Sequence, residues 1–287
     1  MFSSSLAHAV ERFAEVTQGV PDPDLDREWT WGAYDAEGVR FAFFRTYEDL
    51  RELAARTAAE RNAHGPAMST AQRILAQYHA SHRDLQAALL GIGPDDEDRA
   101  PAPEEWPLRR IVAHIIGAEL GFFAVTKYAL DGHRRGDWRP AEIPDEAWEP
   151  LFGEDIALIE ARLDGPLAGM RSYHEAFHER IVREFDGIGE EELALPSIYW
   201  EGYELSLRFR LHRFDSHLRQ HTVQIDKTRE SIGRSPNEAQ RLLRLIYAAL
   251  AEAEGATIGA WELGTELWQG TAETIATRTD EIAAIVT

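Results

Sequence analysis

The sequence predicts an all-α protein built around an antiparallel bundle of helices. Along four long segments, apolar residues recur at alternating spacings of four and three, the pattern of helices that bury one face. Strand-like alternation is scarce: only the stretch SIYWEGYELSLRF indicates a short hairpin, turning at Glu201 and Gly202. The composition, 44% hydrophobic and 28% charged, is that of a globular chain able to bury a sizeable core. Several amphipathic helices of this kind favour an antiparallel bundle.

The segment before the bundle is predicted to be a helical extension over residues 1–66. A first helix is expected from Ser4 to Thr17, where QGVPDPDLD ends it, and a second from about Arg40 to Arg61. The aromatic residues of this extension could pack over the bundle, line a pocket or form a dimer surface: Trp29, Trp31, Tyr34, Phe41, Phe43 and Phe44.

The bundle itself is predicted over residues 67–234. Its four helices run from about Ser69 to Leu90, from Pro107 through Ala129, from about Asp155 to Phe185 with an interruption at Asp164 to Pro166, and along the stripe from Leu207 to Ile225. A long connection rich in proline and tryptophan, DGHRRGDWRPAEIPDEAWEPLFGE, separates the second helix from the third.

The remaining residues, 235–287, are predicted to form C-terminal helices packed on the bundle. The first of them has a clear start signal, with Ser235 as the N-cap and Pro236 at the first helical position. We expect both terminal segments to decorate one helical domain.

Charge and composition exclude several classes of function. The net charge of −20 repels phosphate backbones and so argues against nucleic-acid binding. No apolar run approaches the roughly 20 residues of a membrane span, and the N-terminus lacks the basic start and long apolar core of a secretory signal. We therefore expect a cytoplasmic protein with a small-molecule substrate and no membrane partner. With no cysteine in the chain, thiol chemistry would need an external thiol.

Two histidines on the fourth bundle helix lie beside its apolar stripe. Taking about 100° per residue, His221 lies about 40° and His217 about 80° from the centre of that stripe, on the same side as Gln224. Residues four apart are helix neighbours, so both imidazoles can reach one divalent ion. The alternative is a pair of boundary histidines that hydrogen-bond to carboxylates or backbone. A second pair with this spacing, His174 and His178, also borders an apolar stripe.

The second bundle helix supplies a candidate third ligand, His114, about 60° from the centre of its stripe. Gly117 and Gly121 lie toward the same flank. Since a glycine inside a helix costs about 1 kcal/mol relative to alanine, they indicate either a cleft beside His114 or a close helix–helix contact. His82 is interpreted as a core or boundary histidine. Three further histidines fall in segments that we expect at the surface: His8, His64 and His133.

Two motifs resemble those of the DinB-like superfamily, which includes bacillithiol and mycothiol S-transferases and mycothiol-dependent maleylpyruvate isomerases. EEWPLRRIVAHI is similar to the family's entry to its second helix, and SHLRQHTVQI to its HxxxHxxQ stretch. The resemblance covers roughly Ser69 to Ile232. It implies an up-down-down-up four-helix bundle, often a homodimer, with His114, His217 and His221 as ligands of zinc or nickel. His174 and His178 match nothing in the family pattern, and the long terminal extensions depart from its simple members.

Two functions follow from these observations. The first is a metal-dependent transferase or isomerase that uses an external low-molecular-weight thiol, because a divalent ion with three imidazole ligands keeps an open position and lowers the pKa of what binds there. Gln224 could orient a ligand, and Arg210, Arg219 or Arg109 could hold an anionic group. The second function is a non-catalytic, metal-binding or stress-associated bundle, in which a side chain such as His82 closes the fourth position.

Overall fold

The computed structural model describes residues 4–33, 38–136 and 139–286, and within these ranges it contains eleven α-helices and one sheet of two strands. The prediction of an all-α protein is confirmed. None of the helices in the described ranges is long and apolar enough to cross a membrane. The chain forms two compact units: the described parts of residues 1–68, 79–92 and 233–287 make up the first, and residues 69–78 and 93–232 the second.

The first unit is a layer of long helices from both ends of the chain. They are α1 (Ser4–Thr17), α2 (Gly38–His64), α10 (Glu238–Gly255) and α11 (Thr265–Val286), with the C-terminal part of α3 (Thr70–Ala88). Helix α1 packs on α11, and α2 packs on both α10 and α11. Their shared core includes Phe13 and Phe43, whose rings meet edge to face at 5.2 Å. The division of the chain at residues 66 and 234 stays a prediction.

The N-terminal aromatic residues take different positions within the first unit. Trp29 is 4% exposed and donates its indole N–H to Glu281 Oε2 at 3.0 Å, and Phe43 is buried in the core. Trp31 is exposed and lies against the guanidinium of Arg45, 4.1 Å from its ring centre. Phe44 is also exposed, and Tyr34 lies outside the described residues.

A buried ion network also belongs to the first unit. Arg83 donates to both carboxylate oxygens of Glu254 at 2.8 Å, and His79 Nε2 lies 2.8 Å from the same carboxylate. All three side chains are at most 1% exposed. Burial by itself would raise the pKa of Glu254, but the charge of Arg83 and the hydrogen bond from His79 outweigh it and lower that pKa to about 2.

Helix α10 begins two residues later than its start signal predicted. Asn237, and not Ser235, is the N-cap, and its side chain accepts a hydrogen bond from the Gln240 backbone N–H at 2.8 Å. The Asn237 amide also donates to the backbone oxygens of Gln18 and Val20. An asparagine caps as well as a serine does, and these tertiary hydrogen bonds select it, so Pro236 lies before the helix.

The second unit holds the bundle helices α4 (Leu108–Arg135), α7 (Leu167–Phe185) and α9 (Leu207–Ser231), with the N-terminal part of α3. Helix α4 packs against α7 and, more extensively, against α9. His114 of α4 lies beside His217 and His221, whereas Phe122, two turns on, contacts Phe214. Helices α4 and α9 are therefore antiparallel.

The long connection after α4 contains more helix than the sequence predicted. Helix α4 continues to Arg135, because basic residues in its last turn suit the negative end of the helix dipole and Gly136 ends it in a left-handed conformation. A short 3-10 turn (Asp145–Ala147) and α5 (Trp148–Phe152) then follow, while Asp137 and Trp138 lie outside the described residues. Helix α6 (Ile156–Leu163) is separate from α7, which confirms the predicted interruption.

A short hairpin precedes α9, as predicted. After the single-turn helix α8 (Glu190–Leu193), β1 (Pro196–Ser197) pairs antiparallel with β2 (Leu205–Ser206). The turn between them uses Gly202 at φ +75°, a conformation that glycine adopts without strain. Ser206 then caps α9 by accepting from the Phe209 backbone N–H at 3.3 Å.

His174 has a structural partner in the bundle core. Its Nε2 lies 2.8 Å from Glu119 Oε2, the same oxygen that accepts the Tyr78 hydroxyl at 2.9 Å. Burial, together with the charge of Glu119, raises the pKa of Tyr78 well above its usual value. His178 packs against the Tyr78 ring at 4.6 Å. These contacts agree with a structural interpretation of the His174 and His178 pair.

Candidate metal centre

Three histidines from two antiparallel helices meet on one side of the second unit. His217 and His221 lie one turn apart on α9, next to the apolar positions Leu218 and Ile225, and His114 faces them from α4. His217 and His221 are each 7% exposed, and His114 is the most exposed of the three. The helical geometry that placed His217 and His221 together on one flank is thus confirmed.

The ring nitrogens of these histidines converge on one point. His217 Nε2 lies 3.3 Å from His114 Nε2 and 3.1 Å from His221 Nε2, and one nitrogen from each ring lies within 4.8 Å of the others. Ligands at about 2.0–2.1 Å from a tetrahedral ion are roughly 3.4 Å apart. The spacing is therefore compatible with metal binding. In the described part of the chain, no carboxylate and no further histidine joins this group.

Hydrogen bonding outside the group fixes one of the rings. His221 Nδ1 lies 2.8 Å from Gln224 Oε1, which can only accept, so Nδ1 carries the proton and Nε2 presents a lone pair to the other two histidines. Nδ1 of His217 is buried and makes no hydrogen bond to any residue in the described ranges.

The surroundings lower the pKa values of His217 and His114. Burial is the main cause of the lowered pKa of His217, and the neighbouring His221, His114 and Arg213 lower it further, to about 3. Burial and then His221 also lower the pKa of His114. Neutral imidazoles are the form that binds metals. Nε2 of each ring faces another ring of the group and no carboxylate joins them in the described residues, so a bound cation would accept their lone pairs.

Aromatic rings enclose the group on two sides. The Trp106 ring meets His114 edge-on at 5.1 Å, and Phe122 meets His217 at 5.6 Å. The guanidinium of Arg110 lies over the Trp106 ring, 4.6 Å from its centre. Trp106 belongs to the segment just before α4, so the motif EEWPLRRIVAHI supplies both a wall and a histidine.

A cavity of about 420 Å³ opens beside His221. Trp106 and two acidic residues of the segment before α4, Glu104 and Glu105, form one wall. The other wall is a single face of α9, lined by Gln224, Lys227, Thr228 and Ser231. The cavity is the size of a small-molecule site.

The three arginines that were predicted as anion-binding candidates are all paired. Arg210 is fully buried and donates to Glu201 Oε1 at 2.7 Å and to Ser197 Oγ at 3.0 Å, which ties α9 to the hairpin. Arg219 pairs with Asp215 at 2.8 Å, and Arg109 with Asp98 at 2.7 Å. The guanidinium of Arg210 therefore binds the hairpin, and a role for Arg210 in substrate binding stays a prediction.

The two glycines of α4 differ in what surrounds them. A Cβ at Gly117 would meet no atom within 4 Å, so this position opens onto free space next to His114. A Cβ at Gly121 would lie 1.9 Å from the hydroxyl of Tyr199 in the hairpin turn. The close contact at Gly121 is thus with the hairpin and not with another helix, and a cleft at Gly117 stays a prediction.

The other histidines lie outside this group. His82 is buried and belongs to the first unit, and His8, His64 and His133 are exposed, as predicted. The cavity residues Lys227, Glu104 and Glu105 were not predicted. Lys227 lies three residues after Gln224, a spacing that could have indicated it.

Comparison with known proteins identifies the family to which the chain belongs. A family model described as the DinB superfamily matches residues 77–225, a range that begins in α3, ends in α9 and includes His114, His217 and His221. Neither the curated proteins nor the solved structures gave a significant match to the chain. Because the family model covers just over half of the 287 residues, the chain belongs to the DinB superfamily.

Proposed function

We propose that the protein is a divalent-metal-dependent enzyme that joins a low-molecular-weight thiol to an electrophile, with His114, His217 and His221 as the metal ligands. The observation that carries this proposal is the convergence of three imidazoles, with Nε2 atoms 3.1 and 3.3 Å apart. Zinc or nickel is the metal that we propose, on the strength of the family resemblance. The same resemblance is the basis for proposing a homodimer, and the composition for proposing a cytoplasmic location.

A divalent ion at this site acts as a Lewis acid and lowers the pKa of a thiol that binds to it. The protein supplies the remaining requirements. Gln224 holds the tautomer of His221, Trp106 and Phe122 pack against the rings of His114 and His217, and the cavity beside His221 receives the body of the substrate.

The reaction balances without a redox partner. The thiol loses its proton to solvent at the cavity mouth, and its sulfur forms a bond to the electrophilic carbon. If that carbon belongs to an activated double bond, the π electron pair moves to the neighbouring carbon, which takes up a proton. If it bears a halide, the halide leaves. The absence of cysteine from the chain means that no protein thiol competes with the substrate.

The first test is elemental analysis of protein purified without chelators or a polyhistidine tag. We expect one zinc or nickel ion per chain, and its loss in His217→Ala. His212→Ala is the matched control, because His212 lies on the same helix with its side chain exposed. No stoichiometric divalent metal in the wild-type protein would refute the proposal.

The second test separates an enzyme from a non-catalytic metal-binding protein. Several thiols are incubated with a Michael acceptor and with an alkyl halide, and thioether formation is followed by mass spectrometry. We expect turnover that His114→Ala abolishes. Stoichiometric metal with no turnover of any pair would favour the non-catalytic function instead.

A further inference from the structure

The cavity beside His221 carries opposite charges on its two walls. Glu104 and Glu105 line one wall, and Lys227 lines the other. None of these three side chains forms an ion pair or a hydrogen bond with another residue in the part of the chain that the structure describes. The contrast with Lys127, the other lysine of the chain, is clear, because Lys127 pairs with Glu184 at 2.9 Å and with Asp131 at 3.2 Å.

The wall formed by α9 is a row of hydrogen-bond donors. The Gln224 side chain uses its oxygen for His221, which leaves the amide N–H groups for the cavity. Thr228, one turn on, is only 5% exposed and lines the cavity, and its hydroxyl makes no hydrogen bond to another described residue. Beside them lies the ammonium of Lys227. An ammonium, an amide and a hydroxyl on one helix face suit a carboxylate.

The opposite wall suits an ammonium group. Glu104 and Glu105 provide two carboxylates, and Trp106 adds the face or edge of an indole ring. Carboxylates and aromatic rings are the groups that bind organic cations. Because the two walls carry opposite charges that no described residue pairs, a ligand that carries both charges would form the most ion pairs in this cavity.

We propose that this cavity binds the amino-acid end of the substrate, so that the thiol used by the protein carries a free ammonium and a free carboxylate on its body. Lys227, Gln224 and Thr228 receive the carboxylate, and Glu104 and Glu105 receive the ammonium. His221 lines the same cavity, and Trp106, another lining residue, meets the ring of His114, so a molecule bound there would lie next to the histidine group. The inference rests on the proposed function, since it specifies the class of thiol used at the same centre.

The test uses protein loaded with Co²⁺, in which the visible spectrum reports the metal and thiol binding adds a near-ultraviolet charge-transfer band. Four thiols are titrated: L-cysteine, N-acetyl-L-cysteine, cysteamine and 2-mercaptoethanol. These carry both charges, the carboxylate alone, the ammonium alone, and neither. We expect L-cysteine to bind at least about tenfold more tightly than each of the other three, the fold-change that one charge-assisted hydrogen bond gives at a solvated site.

Variants assign the two charges to the two walls. Lys227→Met should weaken L-cysteine and N-acetyl-L-cysteine about tenfold and leave cysteamine unchanged. The double variant Glu104→Gln and Glu105→Gln should weaken L-cysteine and cysteamine, and leave N-acetyl-L-cysteine unchanged or tighter. Lys127→Met is the charge-matched control for Lys227→Met, and Glu204→Gln removes a single carboxylate away from the cavity; neither should alter any of the four affinities.

The outcomes are distinguishable. Four equal affinities on a cobalt-loaded protein would overturn the inference and leave the proposed function standing, as would a Lys227→Met variant that keeps the preference for L-cysteine. A protein that takes up no cobalt would overturn both. Because the contacts are electrostatic at an open site, we also expect the preference for L-cysteine to shrink at 1 M salt, where the Debye length is about 3 Å.

Discussion

The hydrogen bond between His221 and Gln224 gives the sharpest test of the metal centre. In Gln224→Met the side chain keeps its length but loses the oxygen that accepts from His221 Nδ1 at 2.8 Å. The ring can then rotate, or carry its proton on Nε2, the atom needed for the metal. Loss of such a partner outside the coordination sphere weakens metal binding by about 10–100-fold.

The structure decides where in that range the effect should fall. His221 is 7% exposed, but the cavity brings solvent to the edge of the ring that faces Gln224. Water can therefore replace part of the lost hydrogen bond, which by itself contributes about 1 kcal/mol. We expect a loss of about tenfold in metal affinity, or roughly 1.4 kcal/mol.

The affinity is measured by competition with a chromophoric chelator at fixed pH. Gln224→Glu should bind the metal at least as tightly as the wild type, because a carboxylate accepts the same hydrogen bond and raises the basicity of the ring. Gln220→Met is the matched control, since Gln220 is exposed on the same helix. Equal affinities for Gln224→Met and the wild type would refute the assignment of Gln224 as the group that orients His221.

Three further predictions concern stability, measured by urea unfolding. Gly117→Ala should stabilise the protein by about 1 kcal/mol, because alanine has the higher helix propensity. Gly121→Ala should destabilise it by about 1 kcal/mol, because the new Cβ would lie 1.9 Å from the Tyr199 hydroxyl and must displace it. Equal effects of the two substitutions would contradict the contact between Gly121 and Tyr199. Glu254→Gln should destabilise by about 3 kcal/mol at pH 7, since the folded pKa of about 2 lies below the usual 4.5. The carboxylate contributes fully above pH 4.5, so the difference from wild type should shrink as the pH falls toward 2; a difference independent of pH would exclude the ion pair with Arg83 as its cause. Adding zinc or nickel at a hundred times its Kd should stabilise the protein by about 2.7 kcal/mol, and an excess of chelator should reverse this; no shift would mean that the metal does not bind the folded state preferentially.

Local patterns were sufficient to predict much of the architecture. The helix from Ser4 to Thr17, the break before α7 and the hairpin at Gly202 all depend on residues close in sequence, and all are found in the structure. The convergence of His217 and His221 follows from the helical repeat alone. The position of His114 opposite them needed the family resemblance, because helical periodicity does not tell which helices pack together.

What the sequence did not predict depends on contacts between distant residues. Asn237, and not Ser235, caps α10 because its side-chain amide also donates to the backbone oxygen of Gln18. The buried pairing of Arg83 with Glu254 joins residues 171 positions apart. Arg210 looked available for a substrate on its helix face, but its partners Ser197 and Glu201 belong to the hairpin. The helical repeat predicts which face of the helix a side chain occupies. It does not predict which residues of other elements that side chain contacts.

Because lysine is scarce in this chain, the cavity can be labelled selectively at Lys227. The chain contains lysine only at 127 and 227, and the ammonium of Lys127 is held between two carboxylates. An amine-selective acylating reagent should therefore modify Lys227 well ahead of Lys127. The rate of Lys227 modification can be followed by peptide mass mapping. Any compound that fills the cavity beside the histidines should lower that rate, so ligand binding can be detected without an engineered label.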